Sequence, residues 1–210
     1  MFKAIGFDLD GTLIKWPNSW DALRKKLNLP EEYKHRIEEI GYHKAKSLEL
    51  DCWKKIGVRR RDVEEALKDF ELVDRVTECF PLLESKYKIG LITGAPDVIA
   101  NKVAKLLGIQ YVFCNRIIFN KNGSVENFVL EVDGFNKGTN LEKFMHEIGA
   151  KKSETICVGD AENDISMFRS SGLSIALNPK NEKTSKSADI VVNGDFYDLM
   201  KAIKMKENIK

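Results

Sequence analysis

Four short segments of this 210-residue chain combine residue types and spacings that can do chemistry. The first is Asp8-Leu9-Asp10-Gly11-Thr12-Leu13. Two carboxylates two residues apart, at the end of an apolar stretch and opening into a glycine turn, cannot be buried unpaired. Such a pair favours a hard cation like Mg²⁺. Read as a calcium loop from Asp8, the positions that need Gly and Glu hold Leu13 and Ser19, which excludes that motif. The second segment is Ile92-Thr93-Gly94, where a hydroxyl and free backbone N–H groups can hold a phosphate, although Thr there is also an ordinary helix cap. The third is Asn136-Lys137-Gly138-Thr139, whose lysine can neutralise phosphoryl charge or simply be solvated. The fourth, Gly159-Asp160-Ala161-Glu162-Asn163-Asp164, puts Asp160 and Asp164 on one side of a helical turn. Together Asp8, Asp10, Asp160 and Asp164 would repel one another unless a divalent cation and a lysine offset the charge.

These segments need elements to bring them together. Short apolar stretches at Lys3–Phe7, Ile89–Ile92, Tyr111–Phe113, Thr155–Val158, Leu173–Leu177 and Ile190–Val192 predict strands of a mainly parallel sheet. Helical spacing lies between them, as in Val98, Val103, Leu106 and Leu107 before Gly108, and Leu141, Phe144, Met145 and Ile148 before Gly149. The alternation predicts a doubly wound α/β core. Residues 15–78 carry helical patterns instead: Trp20, Leu23, Leu27; Tyr33, Ile37, Ile40; Val63, Leu67, Phe70. They predict a helical insert after the first strand, with Ser19 as N-cap of its first helix. The expected division is a core of 1–14 and 79–210 and an insert of 15–78. Asn122-Gly123, between two β-like runs within Arg116–Val129, predicts a β-hairpin.

Composition narrows the function classes. Lys+Arg 34 against Asp+Glu 32 gives a net charge of +2, which draws the chain to neither nucleic acid nor an anionic membrane. No apolar run approaches the ~18 residues of a membrane span. Phe2-Lys3 leads straight into a strand, so no signal peptide fits, and the cytoplasm is the expected location. The scattered Cys52, Cys79, Cys114 and Cys157 make no metal or redox spacing, and Cys157 is expected in the core. His35, His43 and His146 likewise form no ligand set, and Arg59-Arg60-Arg61 is expected to be a solvated turn.

The order DxDGT, strand-ending Thr, Lys, GDxxxD resembles the haloacid dehalogenase superfamily of phosphatases along essentially the whole chain. The stretch from Asn115, the hairpin, Asn136-Lys137-Gly138 and Gly159 to Met167 are similar to its phosphoserine phosphatase branch. The resemblance implies a Rossmann-like core with a small cap and a Mg²⁺-dependent phosphatase acting on a small phosphomonoester. Asp8 would be the nucleophile and Asp10 the general acid and base. Gly11, Thr93, Gly94, Lys137 and Asn163 would bind phosphate or substrate. Asp8, Asp10 (through its backbone carbonyl), Asp160 and Asp164 would hold or surround the metal. Phosphoglycolate, a sugar phosphate or a nucleotide are alternative substrates, phosphotransfer an alternative outcome, and phosphate binding without catalysis a third reading. Nothing indicates whether the protein is a monomer or a homodimer. The chain departs from the branch in having Gly11 where Ser is common and no Glu between the first motif and Glu31. Trp16, Trp20, Asp21, Arg24 and Lys46 are the candidates to read the leaving group, and core packing of the cap, with Trp20 beside Leu23 and Leu27, explains both tryptophans without ligand contact. Glu49 and Trp53 lie near the branch's carboxylate-binding position.

Overall fold

The computed structural model describes residues 1–30, 32 and 37–208, the side chains of Glu38 and Asn208 excepted. Glu31, Tyr33 and His35 lie outside the described residues. The strands are β1 (Ala4–Phe7), β2 (Lys88–Pro96), β3 (Tyr111–Phe119), β4 (Val125–Val129), β5 (Thr155–Gly159), β6 (Leu173–Leu177) and β7 (Ile190–Val192). They form one sheet in the order β4-β3-β2-β1-β5-β6-β7. Every neighbouring pair is parallel except the β3–β4 hairpin. The third expected strand and the first hairpin arm are one element, because β3 runs through Cys114 and Asn115 without a break.

The sheet is covered on both faces. Ile5 and Phe7 point to one side, where Phe7 meets Phe80 at 5.8 Å and Phe196 at 5.7 Å between ring centroids. Burying an aromatic of this size contributes about 2–3 kcal/mol. Gly6 points to the other side, where an added Cβ would meet Leu141 Cδ1 at 2.6 Å. That small residue lets α7 (Lys137–Ile148) approach β1 closely.

Between β1 and β2 the described chain has no strand. It forms α1 (Ser19–Lys26), α2 (Ile37–Ile40), α3 (Tyr42–Lys55), α4 (Arg60–Ala66) and α5 (Val76–Glu84). α5 begins inside the 15–78 span of the expected insert. Its Phe80, on the core side of the expected boundary at 78, packs on Phe196 of α10 (Phe196–Asn208), their rings 6.2 Å apart. The remaining helices are α6 (Asp97–Leu107), α8 (Ile165–Ser170) and α9 (Glu182–Ser187). Gly108 (φ 74°) and Gly149 (φ 67°) end α6 and α7 in the left-handed conformation expected of them.

Two local expectations change. The N-cap of α1 is Asn18, whose side chain accepts from Asp21 N at 3.1 Å. Ser19 is the first helical residue, and its side chain turns to Asp10 instead. Arg59, Arg60 and Arg61 are exposed as expected, but Arg60 and Arg61 open α4 and do not form a turn. Arg60 N donates to Gly123 O at 2.7 Å, and the Arg60 guanidinium lies 4.7 Å from the Phe119 ring centre. The insert therefore rests on the hairpin.

Candidate active site

β2, β1 and β5 are neighbours in the sheet, with β1 between the other two. Their C-terminal ends bring Thr93, Asp8 and Asp160 to one edge, the place where open α/β sheets bind ligands. A cleft of about 450 Å³ opens there between the sheet and the insert. Gly11 has φ +80°, and a Cβ on it would lie 2.0 Å from Asp160 Oδ2, so the first-motif turn and the fourth-motif loop touch only because residue 11 is glycine.

Lys137, at the start of α7, is 1% exposed. Its Nζ stands 2.7 Å from both Asp8 Oδ1 and Asp164 Oδ1. Asp8 Oδ1 is thereby matched by the lysine's charge. The other Asp164 oxygen, Oδ2, accepts from the backbone N–H groups of Asp160 at 2.9 Å and Ala161 at 3.1 Å. Asp164 is thus fully engaged in fixing Lys137 and the Asp160 loop. Asp10 accepts on Oδ2 from Ser19 N at 2.8 Å and on Oδ1 from Ser19 Oγ. Its side chain is committed to Ser19, which leaves the backbone carbonyl for any metal.

Charge follows from burial. Burial first, then the Asp164 charge, pushes the Asp8 carboxyl up to about 8. Burial also raises Asp10, against hydrogen bonds from Ser19 that favour its ionised form. Burial raises Asp160 to about 6, against the Lys180 ammonium. Lys137 is held above its ordinary range, because Asp164 and Asp8 outweigh the burial that opposes its charge.

Oxygens of Asp8, Asp160 and Asp164 lie within 4.8 Å of one another. Among the described residues, Asp160 Oδ1 is buried without a partner. A crowded set of hard oxygen donors with an orphaned member fits a divalent cation such as Mg²⁺.

Of the other expected residues, Gly94 and Asn163 line the cleft, and among the described residues nothing bonds the buried Asn163 Oδ1. Thr93 Oγ1 accepts from Ala95 N at 3.1 Å, its hydroxyl hydrogen remaining for a ligand. Trp20, Arg24 and Lys46 also line the cleft, whereas Trp16 packs on the core under Lys26. Asp21 bonds Arg24 at 2.5 Å. His43 stacks on Phe128 and Cys157 is buried in β5. Sequence reasoning missed Lys180, whose Nζ lies 2.7 Å from Asp160 Oδ2, and Tyr42, whose hydroxyl donates to Gly94 O at 3.1 Å. Lys180 follows the end of β6, so the strand-end logic applied to the other motifs could have found it.

Residues 2–172 match the model of the haloacid dehalogenase-like hydrolase family. A phosphoserine phosphatase of Methanocaldococcus jannaschii is 29% identical, over 96% of this chain and 98% of its own. A phosphoserine phosphatase of Lactococcus lactis subsp. lactis is 34% identical over 81% of each chain. A substrate-bound phosphoserine phosphatase structure superposes with a TM-score of 0.81 at 28% identity, covering 96% of this chain and 98% of that one. The chain belongs to the haloacid dehalogenase-like hydrolases. Within that family it is a phosphomonoester hydrolase of the phosphoserine phosphatase-like kind. No described helix is long and apolar enough to cross a membrane.

Proposed function

We propose that the protein hydrolyses a small phosphomonoester through an aspartyl phosphate on Asp8. The observation that carries this reading is the buried Asp8–Lys137–Asp164 ion triad at the floor of the cleft, with Asp10 held beside it by Ser19. An oxygen of ionised Asp8 bonds to phosphorus as the ester P–O bond breaks. Asp10, its pKa raised by burial, gives its proton to the leaving alcohol. It then takes a proton from water, which attacks phosphorus, breaks the Asp8–phosphorus bond and releases phosphate. Lys137 and the Thr93 hydroxyl hold the phosphoryl oxygens as charge shifts between them. Asp164 and Ser19 are positioning residues: one fixes Lys137, the other aims Asp10. Asp8, Asp160 and the carbonyl of Asp10 would hold Mg²⁺, which supplies Lewis-acid charge at the phosphoryl group. In this scheme residues 1–14 and 79–210 form the catalytic core and 15–78 a cap over it.

Phosphate release from L-phosphoserine, phosphoglycolate, sugar phosphates, nucleotides and p-nitrophenyl phosphate, with Mg²⁺ and with chelator, tests the reading. Mg²⁺-dependent release by the wild type, and none by Asp8→Asn, is the expected result. Equal release by a folded Asp8→Asn protein removes Asp8 as nucleophile. Release only when an acceptor alcohol is added makes the protein a phosphotransferase.

A further inference from the structure

The two oxygens of Asp160 are treated differently. Its side chain is 3% exposed, and Oδ2 lies 2.7 Å from Lys180 Nζ. Oδ2 is crowded a second time by the first-motif turn, where a Cβ on Gly11 would stand 2.0 Å from it. Oδ1 is the buried oxygen that nothing bonds among the described residues.

Lys180 is itself held in place. Asn178 follows β6 in the left-handed conformation (φ 46°), which Asn tolerates better than most residues. Its side chain closes on Gly194, accepting from Gly194 N at 3.0 Å and donating to Gly194 O at 2.8 Å. Two residues on, Lys180 N donates to Asp160 O at 2.9 Å. Asn181 then caps α9, accepting from Thr184 N at 2.9 Å, and donates to Glu162 Oε1 at 3.0 Å. At the far end of the side chain, Lys180 Nζ donates to Pro17 O of the insert at 3.0 Å. A lysine on a flexible stem would ordinarily swing aside for a metal. This one is tied at its backbone and again at its ammonium, by an acceptor other than the carboxylate.

How many oxygens a carboxylate can offer decides which divalent cation it suits. The two oxygens stand too close together for two corners of the near-ideal octahedron that Mg²⁺ demands, whereas the looser shell of Ca²⁺, with ~6–8 oxygens, accepts both. We propose that Lys180 sets the choice of cation at this site: by holding Asp160 Oδ2 it confines Asp160 to one oxygen donor, Oδ1, and so favours Mg²⁺ over Ca²⁺. Lys180 is a positioning residue in this role, acting on the metal through Asp160. The proposal rests on the reading of Asp160 as a metal ligand and goes beyond it. The lysine's charge repels both dications alike, so charge by itself changes both affinities by the same factor. Their ratio reports the coordination.

The test is the Kd of Mg²⁺ and of Ca²⁺, each titrated calorimetrically into the metal-free protein in one buffer. The wild type is expected to bind Mg²⁺ tighter than Ca²⁺ by about tenfold or more. Lys180→Met keeps the stem and loses the donor, and its ratio Kd(Ca²⁺)/Kd(Mg²⁺) is expected to fall about tenfold. Lys180→Arg still donates to Oδ2 and is expected to keep the wild-type ratio. Equal or tighter binding of Ca²⁺ by the wild type overturns the proposal, whatever the variants do. An unchanged ratio in Lys180→Met overturns it even where both affinities change, and so does a fall as large in Lys180→Arg. Asp160→Asn separates the underlying reading from the proposal. If it binds both cations as the wild type does, Asp160 is no ligand and the metal-site reading falls, with the proposal. If it loses them while Lys180→Met keeps the wild-type ratio, the proposal alone falls.

Discussion

Two buried charge clusters face one cleft and differ in their balance. At the sheet edge, Asp8, Asp160 and Asp164 surround one buried lysine, Lys137. In the insert, Arg24 and Lys46 surround one buried carboxylate, Glu49. The first carries an excess of acid, and buried charge is stable only when matched, so a cation completes it. The second is balanced, because Asp21 brings Arg24 a further carboxylate at 2.5 Å. On the proposed reading the difference also separates chemistry from selection: the sheet edge would carry the reacting groups, and the insert walls the rest of the cleft.

The sharpest break of this division is at Asp8. Asp8→Asn is expected to lower kcat by about 10⁴-fold or more with every ester, because the nucleophile is lost whatever the leaving group. A loss confined to one class of ester would move Asp8 from chemistry to selection. Lys137→Ala comes next. It strands Asp8 and Asp164 as buried, unmatched acids, so kcat/KM is expected to fall about 10²–10³-fold. Stability is expected to fall by about 3 kcal/mol, read from the urea midpoint.

The two clusters should also answer pH with opposite signs. Asp8 has its pKa raised from 3.8 to about 8, so without metal the folded state binds the extra proton. Its contribution to stability is present below 3.8 and is lost as pH rises through about 8. The thermal midpoint in chelator is expected to fall between pH 6 and 8, and Mg²⁺ is expected to cancel the fall by binding the ionised acids. Burial lowers Lys46 from 10.5 to about 8, against the pull of Glu49, so its contribution runs the other way. It is present above 10.5 and lost as pH falls through about 8. The difference in stability between wild type and Lys46→Met is therefore expected to shift in favour of the wild type from pH 8 to 10. A flat difference would place Lys46 in a more solvated setting than its 2% exposure indicates.

The smallest effect concerns the seam between the clusters. Trp20→Phe removes one of three donors to Gly94 O and leaves Tyr42 and Asn115 in place. A cost of about 1 kcal/mol and a rise of about threefold in KM are expected. A larger change in kcat than in KM would mean that the seam also positions the reacting groups.

The proposed reacting groups were legible in the sequence because each follows a short apolar run. Asp8, Thr93 and Asp160 stand at the ends of adjacent parallel strands, so marking the strands places the side chains. Lys137 was legible by its helix start, and Gly11 by the turn it permits. The insert was legible as helices but not as a charge arrangement. Lys46 and Glu49 are three apart on one helix, yet their partner Arg24 is 25 residues from Glu49 on another. Ser19 carried two possible roles, and only the approach of α1 to the first-motif turn chose Asp10 over a cap.

The sequence by itself therefore determined the core layout, the motif order and the chemistry those motifs support. Strand ends and glycine turns are set by local pattern. Only the tertiary structure decided that Asp164 is spent on Lys137 and the Asp160 loop, that Gly94 O is saturated from three elements, and that Arg24 and Lys46 share Glu49 beside the cleft. Those facts depend on how separately formed helices pack across the sheet edge. Spacing along the chain does not encode which buried charges meet there, because each match is made by desolvation and distance in the folded state.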